Sequence, residues 1–220
     1  MDVLEHFDDR AEDWDKLYER SQFVDRRALF LDAVQRYAPA DGAILDYGCG
    51  TGRIATDLSL AGFAVLGVDG SKRMIEEATR KAEGKGNLAF EAIDPENWQP
   101  QAAYDAIVCS SVIEYVPDDA QLLATLSAGL VPGGTLVISI PSSATLFAVI
   151  EDRLLTGKRD VSFARRRYSS SEFGEMLNAV GLQSVKEVTF ELPRLGKLGV
   201  WLSRLPVLGM MRLVIATKTA

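Results

Sequence analysis

Apolar positions along this chain switch between two spacings, and the switching lays out the elements. Val24, Ala28, Leu31, Val34 and Tyr37 recur at steps of three and four, which predicts a helix over 24–37 with one buried stripe. The apolar run Ala43–Tyr47 follows as a strand and enters the turn Gly48-Cys49-Gly50-Thr51-Gly52. A helix then starts near Arg53, buries Ile54 and Leu58, and stops at Gly62, a residue suited to the left-handed position that ends helices. Residues 63–68 form the next strand, and Ser71 is placed to cap a helix carrying Met74, Ile75 and Ala78 that stops near Gly84. Residues 88–93 and 104–110 read as strands joined by a loop. Leu122, Leu123, Leu126 and Leu130 mark a helix ended by Val131-Pro132-Gly133-Gly134, before a strand at 135–140. After a short amphipathic stretch around Leu146 to Leu154, Ser170 or Ser171 caps a helix through Phe173, Met176, Leu177 and Val180, and strands follow at 184–192 and 212–218. Seven strands interleaved with helices predict an α/β fold, a mostly parallel sheet with helices on both faces.

Composition narrows what such a fold does. With 220 residues, 47% of them hydrophobic, the chain can bury a full core, which excludes general disorder. Cys49 and Cys109 sit in or beside strands with neither CxxC spacing nor a neighbouring His, so neither a disulfide framework nor a metal site is expected. No run of 18 uncharged apolar residues occurs, and the opening MDVLEHFDDR is acidic where a secretory signal is basic and then apolar; a soluble, cytoplasmic protein is expected. The net charge of −7 hides an asymmetry: residues 151–220 carry 12 Lys/Arg against 7 Asp/Glu, leaving −12 on the first 150. An acidic total disfavours nucleic acid, while the basic third leaves room for an anionic small molecule or peripheral contact with a membrane surface.

The chemistry concentrates in Asp46-x-Gly48-x-Gly50-x-Gly52, a strand feeding a glycine turn and a helix. Glycines let backbone approach a ligand closely, and the amides of the helix N-terminus face it. Asp69 ends the next strand, where an acid accepts the two hydroxyls of a ribose. The alternate glycines do not follow the GxGxxG dinucleotide fingerprint, and no GK[ST] marks a P-loop. In sum, ILDYGCGTG (44–52) resembles the first motif of the class I S-adenosylmethionine-dependent methyltransferases. VDGSKRMI (68–75), YDAIVCSSVIEYVPD (104–118) and LVPGGTLVISIP (130–141) resemble later motifs of the same family, in order, and the chain looks most like its small-molecule branch, with the quinone-biosynthesis and magnesium-protoporphyrin O-methyltransferases.

That resemblance implies a Rossmann-like seven-stranded sheet whose antiparallel last strand lies beside the sixth, in one domain spanning 1–220. Residues 1–40 would be lid helices, 41–140 the cofactor-binding core, and 141–168 and 193–211 substrate-side insertions. It implies S-adenosyl-L-methionine as cofactor, S-adenosyl-L-homocysteine as product, and a small-molecule acceptor methylated at a hydroxyl oxygen. N- or C-methylation and a non-catalytic cofactor-binding scaffold are the alternatives. The cofactor residues implied are Asp46, Gly48, Cys49, Gly50 and Gly52 at the methionine end, Asp69 and Gly70 at the ribose, Met74 and Asp94 at the adenine, and Ser110 beneath the methyl group. After Asp94 the family commonly has a residue whose amide donates to the adenine ring, but Pro95 has no N–H.

Tyr18, on an opening segment with Phe7 and Trp14, either reaches the cofactor carboxylate from a lid or is buried on an amphipathic surface helix. Relatives place a His after the fourth strand where this chain has Tyr115, a poor base with an ordinary pKa near 10. His6 and Glu114 are the other candidate bases, and proximity alone suffices for an acidic phenol or enol. Ser111, Tyr115, Arg165, Arg166, Arg167 and Tyr168 are candidate acceptor contacts; clustered guanidinium groups suit a carboxylate or phosphate, or simply offset the acidic first half. Residues 193–211 mix Trp201 and leucines with Arg194, Lys197 and Arg204, suited to an anionic membrane face, to covering a sheet edge or to a dimer contact. The acceptor expected is anionic or lipid-like, and the protein a monomer or homodimer.

Overall fold

Alternating strands and helices close into one seven-stranded sheet in the computed structural model, which describes residues 3–12, 14, 21–82, 84, 86–143, 166–190 and 209–219. The strands are β1 (Ala43–Tyr47), β2 (Ala64–Asp69), β3 (Leu88–Ala92), β4 (Tyr104–Ser110), β5 (Leu130–Pro141), β6 (Leu182–Phe190) and β7 (Met211–Lys218), in spatial order β3-β2-β1-β4-β5-β7-β6. Pairing is parallel from β3 through β5, and β7 runs antiparallel to both β5 and β6, as expected of the last strand. Successive strands step outward from β1 in one direction and from β4 in the other. That reversal opens a crevice at the carboxyl ends of β1 and β4, where open α/β sheets bind ligands.

The described helices are α1 (Val3–Asp8), α2 (Ser21–Tyr37), α3 (Arg53–Leu60), α4 (Lys72–Ala82), α5 (Asp119–Ala128) and α6 (Ser170–Ala179). Side-chain alternation sends β1 residues into two cores. Ile44 joins Phe30, Val34, Ile54 and Leu58 under α2 and α3, and Leu45 joins Leu123, Leu126, Phe173 and Leu177 under α5 and α6. Both faces of the central strands are thus buried, which is why β1 and β4 are continuous apolar runs. Among the described residues no helix is long and apolar enough to cross a membrane.

Three local readings need correction. Leu130 belongs to β5 and not to the preceding helix: α5 ends at Ala128, Tyr104 N–H bonds Gly129 O, and a register shift between Tyr104 and Ala106 absorbs Pro132-Gly133-Gly134 within the strand. The cap of α6 is Ser169, in extended backbone, whose Oγ accepts from Glu172 N at 3.2 Å. The stripe that α2 buries is Arg26, Phe30, Ala33 and Val34, with Ala28 exposed, so the predicted apolar face is rotated and takes an arginine into the interior.

Candidate functional site

At the carboxyl ends of the strands lies a cavity of about 490 Å³. Its floor is built by the turn after β1. Gly48 N–H and Cys49 N–H both donate to Val68 O, at 2.8 and 3.0 Å, folding the turn over β2. Gly48 holds φ +72°, and a Cβ there would run into the Val112 side chain, so this position demands glycine twice over. Its backbone and that of Gly50 and Gly70 face the cavity, whereas Gly52 starts α3 behind it.

Two carboxylates hold this floor. Asp69 at the end of β2 accepts from Gly50 N–H through Oδ2 and from Ser71 N–H through Oδ1, both at 2.8 Å, and it lies on the cavity wall. Burial pushes its pKa up against those two amide bonds, and the nearby Asp8 adds to the rise. Asp46 sits below the turn, away from the wall: Oδ2 accepts from Ala55 N–H at 3.1 Å, and Oδ1 is buried with no hydrogen-bond partner. Burial pushes Asp46 up to about 7, the Ala55 amide opposing and the Asp69 charge assisting. From about pH 4 to 7 the folded chain therefore holds a proton the unfolded chain has released, and stability from this group, complete at low pH, is lost as pH rises through 7. In urea unfolding of the ligand-free protein, Asp46→Asn is expected to remove about 2 kcal/mol of the stability difference between pH 5.5 and 7.5; an unchanged difference contradicts the assignment.

The other implied residues divide between wall and interior. Met74, Asp94, Ser110, Ser111, Glu114 and Tyr115 all line the cavity. Glu114 is 5% exposed, and Tyr115 meets Phe7 edge-on, with centroids 5.5 Å apart. Phe7 also meets Trp14 edge-on, and both belong to the wall. Cys49 is buried behind the turn, its thiol pKa pushed up by burial and by Asp46 and Asp69. His6 stacks edge-on to Phe7 but lies outside the wall.

The basic segment departs from the expected acceptor role. Arg166 bonds Asp119 Oδ2 at 2.5 Å and Glu172 Oε1 at 3.0 Å, with its guanidinium over the Tyr168 ring. Tyr168 is fully buried, its hydroxyl donates to the same Asp119 oxygen at 2.9 Å, and burial with that bond pushes its pKa up. Both are committed to fastening the start of α6 to α5, and neither reaches the cavity; Arg167 lies off the wall as well. Tyr18, Arg165 and most of 141–168 and 193–211 lie outside the described residues.

The structure adds a residue the sequence reading missed. Arg26, 6% exposed on α2, donates to Ser111 Oγ at 2.7 Å and Ser110 Oγ at 3.4 Å, and its guanidinium lies 5.6 Å from the Phe190 ring centroid. It lines the cavity beside Gly48. Its phase with Phe30 and Ala33, four and seven residues on, is the signal that places it on the buried stripe. Ser111 takes φ +55° to present its hydroxyl, with its N–H on Ser139 Oγ at 2.9 Å. Asp8 Oδ1 accepts from Ser71 Oγ at 2.5 Å, which fastens α1 across the mouth.

The carboxyl ends of β4, β1, β2 and β3 stand side by side, so the wall from Ser110 to Asp94 spans about three interstrand steps, roughly 14 Å. Along it, donors come first (Arg26, Ser110), then the glycine backbone, then acceptors (Asp69, Asp94).

The profile of the Methyltransferase domain family matches residues 18–187. A trans-aconitate 2-methyltransferase of Methylobacterium nodulans is 35% identical over 138 residues, 60% of this chain and 51% of that protein. A ubiquinone biosynthesis O-methyltransferase of Chromobacterium violaceum is 29% identical over 178 residues, 77% of each protein. The chain thus spans about half the length of the first relative and about three quarters of the second. The crystal structure of a magnesium protoporphyrin IX methyltransferase from Synechocystis PCC 6803 with bound SAH superposes with a TM-score of 0.77 at 17% identity, covering 99% of this chain and 98% of that one, so the two share a fold.

Proposed function

Because the chain belongs to the methyltransferase-domain family and shares the fold of a methyltransferase solved with bound SAH, we propose that it is a class I enzyme that moves a methyl group from S-adenosylmethionine to a small-molecule acceptor, at a hydroxyl oxygen. The order of polar groups along the strand ends carries this reading. An amino acid joined through sulfur to adenosine offers a carboxylate, a ribose diol and an aromatic amine in line, and the wall offers Arg26, Asp69 and Asp94 in the matching order. The glycine backbone supports close approach between them.

The bound cofactor supplies a methyl group already activated on a sulfonium. What is left to the protein is alignment and management of one proton. Arg26, held by Ser110 and Ser111, takes the cofactor carboxylate, a role that one of the two open readings of the opening segment gives to Tyr18. Phe7, Trp14 and Tyr115 wall the acceptor side with rings, which favours an acceptor with a flat apolar body. Glu114 is the carboxylate on that wall that takes the hydroxyl proton, and Tyr115 positions the acceptor. His6, outside the wall, has no part in the step, so His6→Ala is expected to leave turnover intact. The test is incubation with methyl-labelled S-adenosylmethionine and fractionated small-molecule extract. Label entering one product in step with S-adenosylhomocysteine supports the proposal, and cofactor consumed without a labelled product contradicts it.

The basic residues Arg194, Lys197 and Arg204, set among the leucines and Trp201 of 193–211, favour an anionic or lipid-like acceptor met at a membrane surface by a monomer or homodimer. Cosedimentation with vesicles containing anionic lipid is expected, falling severalfold when Arg194, Lys197 and Arg204 are neutralised. Equal sedimentation of that variant removes the membrane role.

A further inference from the structure

Adenine, in the cofactor assignment just proposed, meets the loop that follows β3, and the hydrogen bonds of that loop are almost fully accounted for. Ile93 N–H donates to Asp69 O at 3.0 Å, prolonging the β2–β3 ladder. Pro95 has no N–H to give. Glu96 N–H donates to Asp94 Oδ1 at 3.1 Å, Asn97 N–H and Trp98 N–H donate to Asp94 O at 3.2 and 2.9 Å, and the Asn97 side-chain amide donates to Asp94 Oδ2 at 2.7 Å. The remaining amide is that of Asp94. Since Ile93 N–H points toward β2, strand alternation turns the next N–H the opposite way, past β3 to the outer edge of the sheet. The part of the loop on the cavity wall, Asp94 to Glu96, therefore presents acceptors and no donor. Within it Asp94 is the fixed one: Glu96 and Asn97 each clamp one of its oxygens, and each carboxylate oxygen keeps further accepting capacity.

Resting on the assignment of S-adenosylmethionine to this cavity, we infer that the protein recognises the base through its exocyclic amino group alone, accepted by Asp94, and offers no donor to the neighbouring ring nitrogen N1. A base whose amino group is deleted loses a hydrogen bond to a charged acceptor. A base whose N1 is replaced by C–H loses nothing, because no amide of the described loop is left to pair there.

Calorimetry on the native protein with three ligands tests this: S-adenosylhomocysteine, its 6-deamino analogue and its 1-deaza analogue. The 6-deamino compound is expected to bind at least about tenfold more weakly, and the 1-deaza compound within about twofold of the parent. In Asp94→Ala the penalty for deleting the amino group is expected to shrink to about twofold. A tenfold loss with the 1-deaza analogue overturns the inference, since some donor, the Tyr47 hydroxyl on the wall being the first to try, would then read N1. A penalty that persists in Asp94→Ala overturns the assignment to Asp94 in favour of Glu96. If the parent compound fails to bind the native protein, the cofactor assignment itself has failed, which is a separate result.

Discussion

Replacing Asp69 with alanine is expected to weaken S-adenosylhomocysteine binding by at least about a hundredfold, close to 3 kcal/mol. Two losses combine. The carboxylate that takes the ribose hydroxyls disappears, and the Gly50 and Ser71 amides that it holds at 2.8 Å lose their acceptor, so the turn that supports the methionine end is freed as well. Asp69→Asn separates the two. It retains a carbonyl for one amide but sets an NH₂ group against the other, and its affinity is expected to fall between those of the native protein and the alanine variant. Isothermal calorimetry reads the effect, with thermal unfolding of the ligand-free variants as the check on folding. Unchanged affinity in Asp69→Ala removes Asp69 from the site.

Arg26→Met is the second large effect, and it has a signature that mere loss of stability does not reproduce. Methionine keeps much of the volume on the buried stripe of α2 and removes the guanidinium. Affinity for S-adenosylmethionine is expected to drop about thirtyfold to a hundredfold, the scale of a charge-assisted pair in a partly dehydrated cavity. The decarboxylated cofactor, which has nothing for Arg26 to hold, is expected to bind native and variant proteins within about threefold. Such a double cycle isolates the pair. Equal losses for both ligands contradict the assignment and leave Arg26 a structural role through Ser110, Ser111 and Phe190.

How far the sequence carries depends on how local each cause is. The turn at Gly48–Gly52, the acid ending β2, and Ser110 with Ser111 at the end of β4 are set by neighbours within a few residues, so spacing alone locates them on or under the wall. The seven strands are equally local, each a short apolar run between turn residues, whereas the antiparallel last strand beside the sixth is implied by the family resemblance and not by spacing, because pairing depends on contacts far apart in sequence. Arg26 is hidden from helix periodicity because only apolar residues mark a buried stripe in sequence. Its burial depends on the hydroxyls of Ser110 and Ser111, more than eighty positions away, and on the Phe190 ring. Arg166 and Tyr168 misled in the opposite sense. A basic run reads as a surface for anions until Asp119, 47 residues upstream of Arg166, is seen to hold both side chains. Pro95 was legible as a missing donor, but only the folded loop shows that Glu96 and Asn97 turn their own amides back onto Asp94.

The most direct test of the central claim is titration of the native protein with S-adenosylhomocysteine by isothermal calorimetry near neutral pH. Saturable binding at one site per chain, with a Kd of roughly micromolar order or tighter, is the predicted result. No saturable heat, and no rise in melting temperature, at millimolar ligand would contradict it.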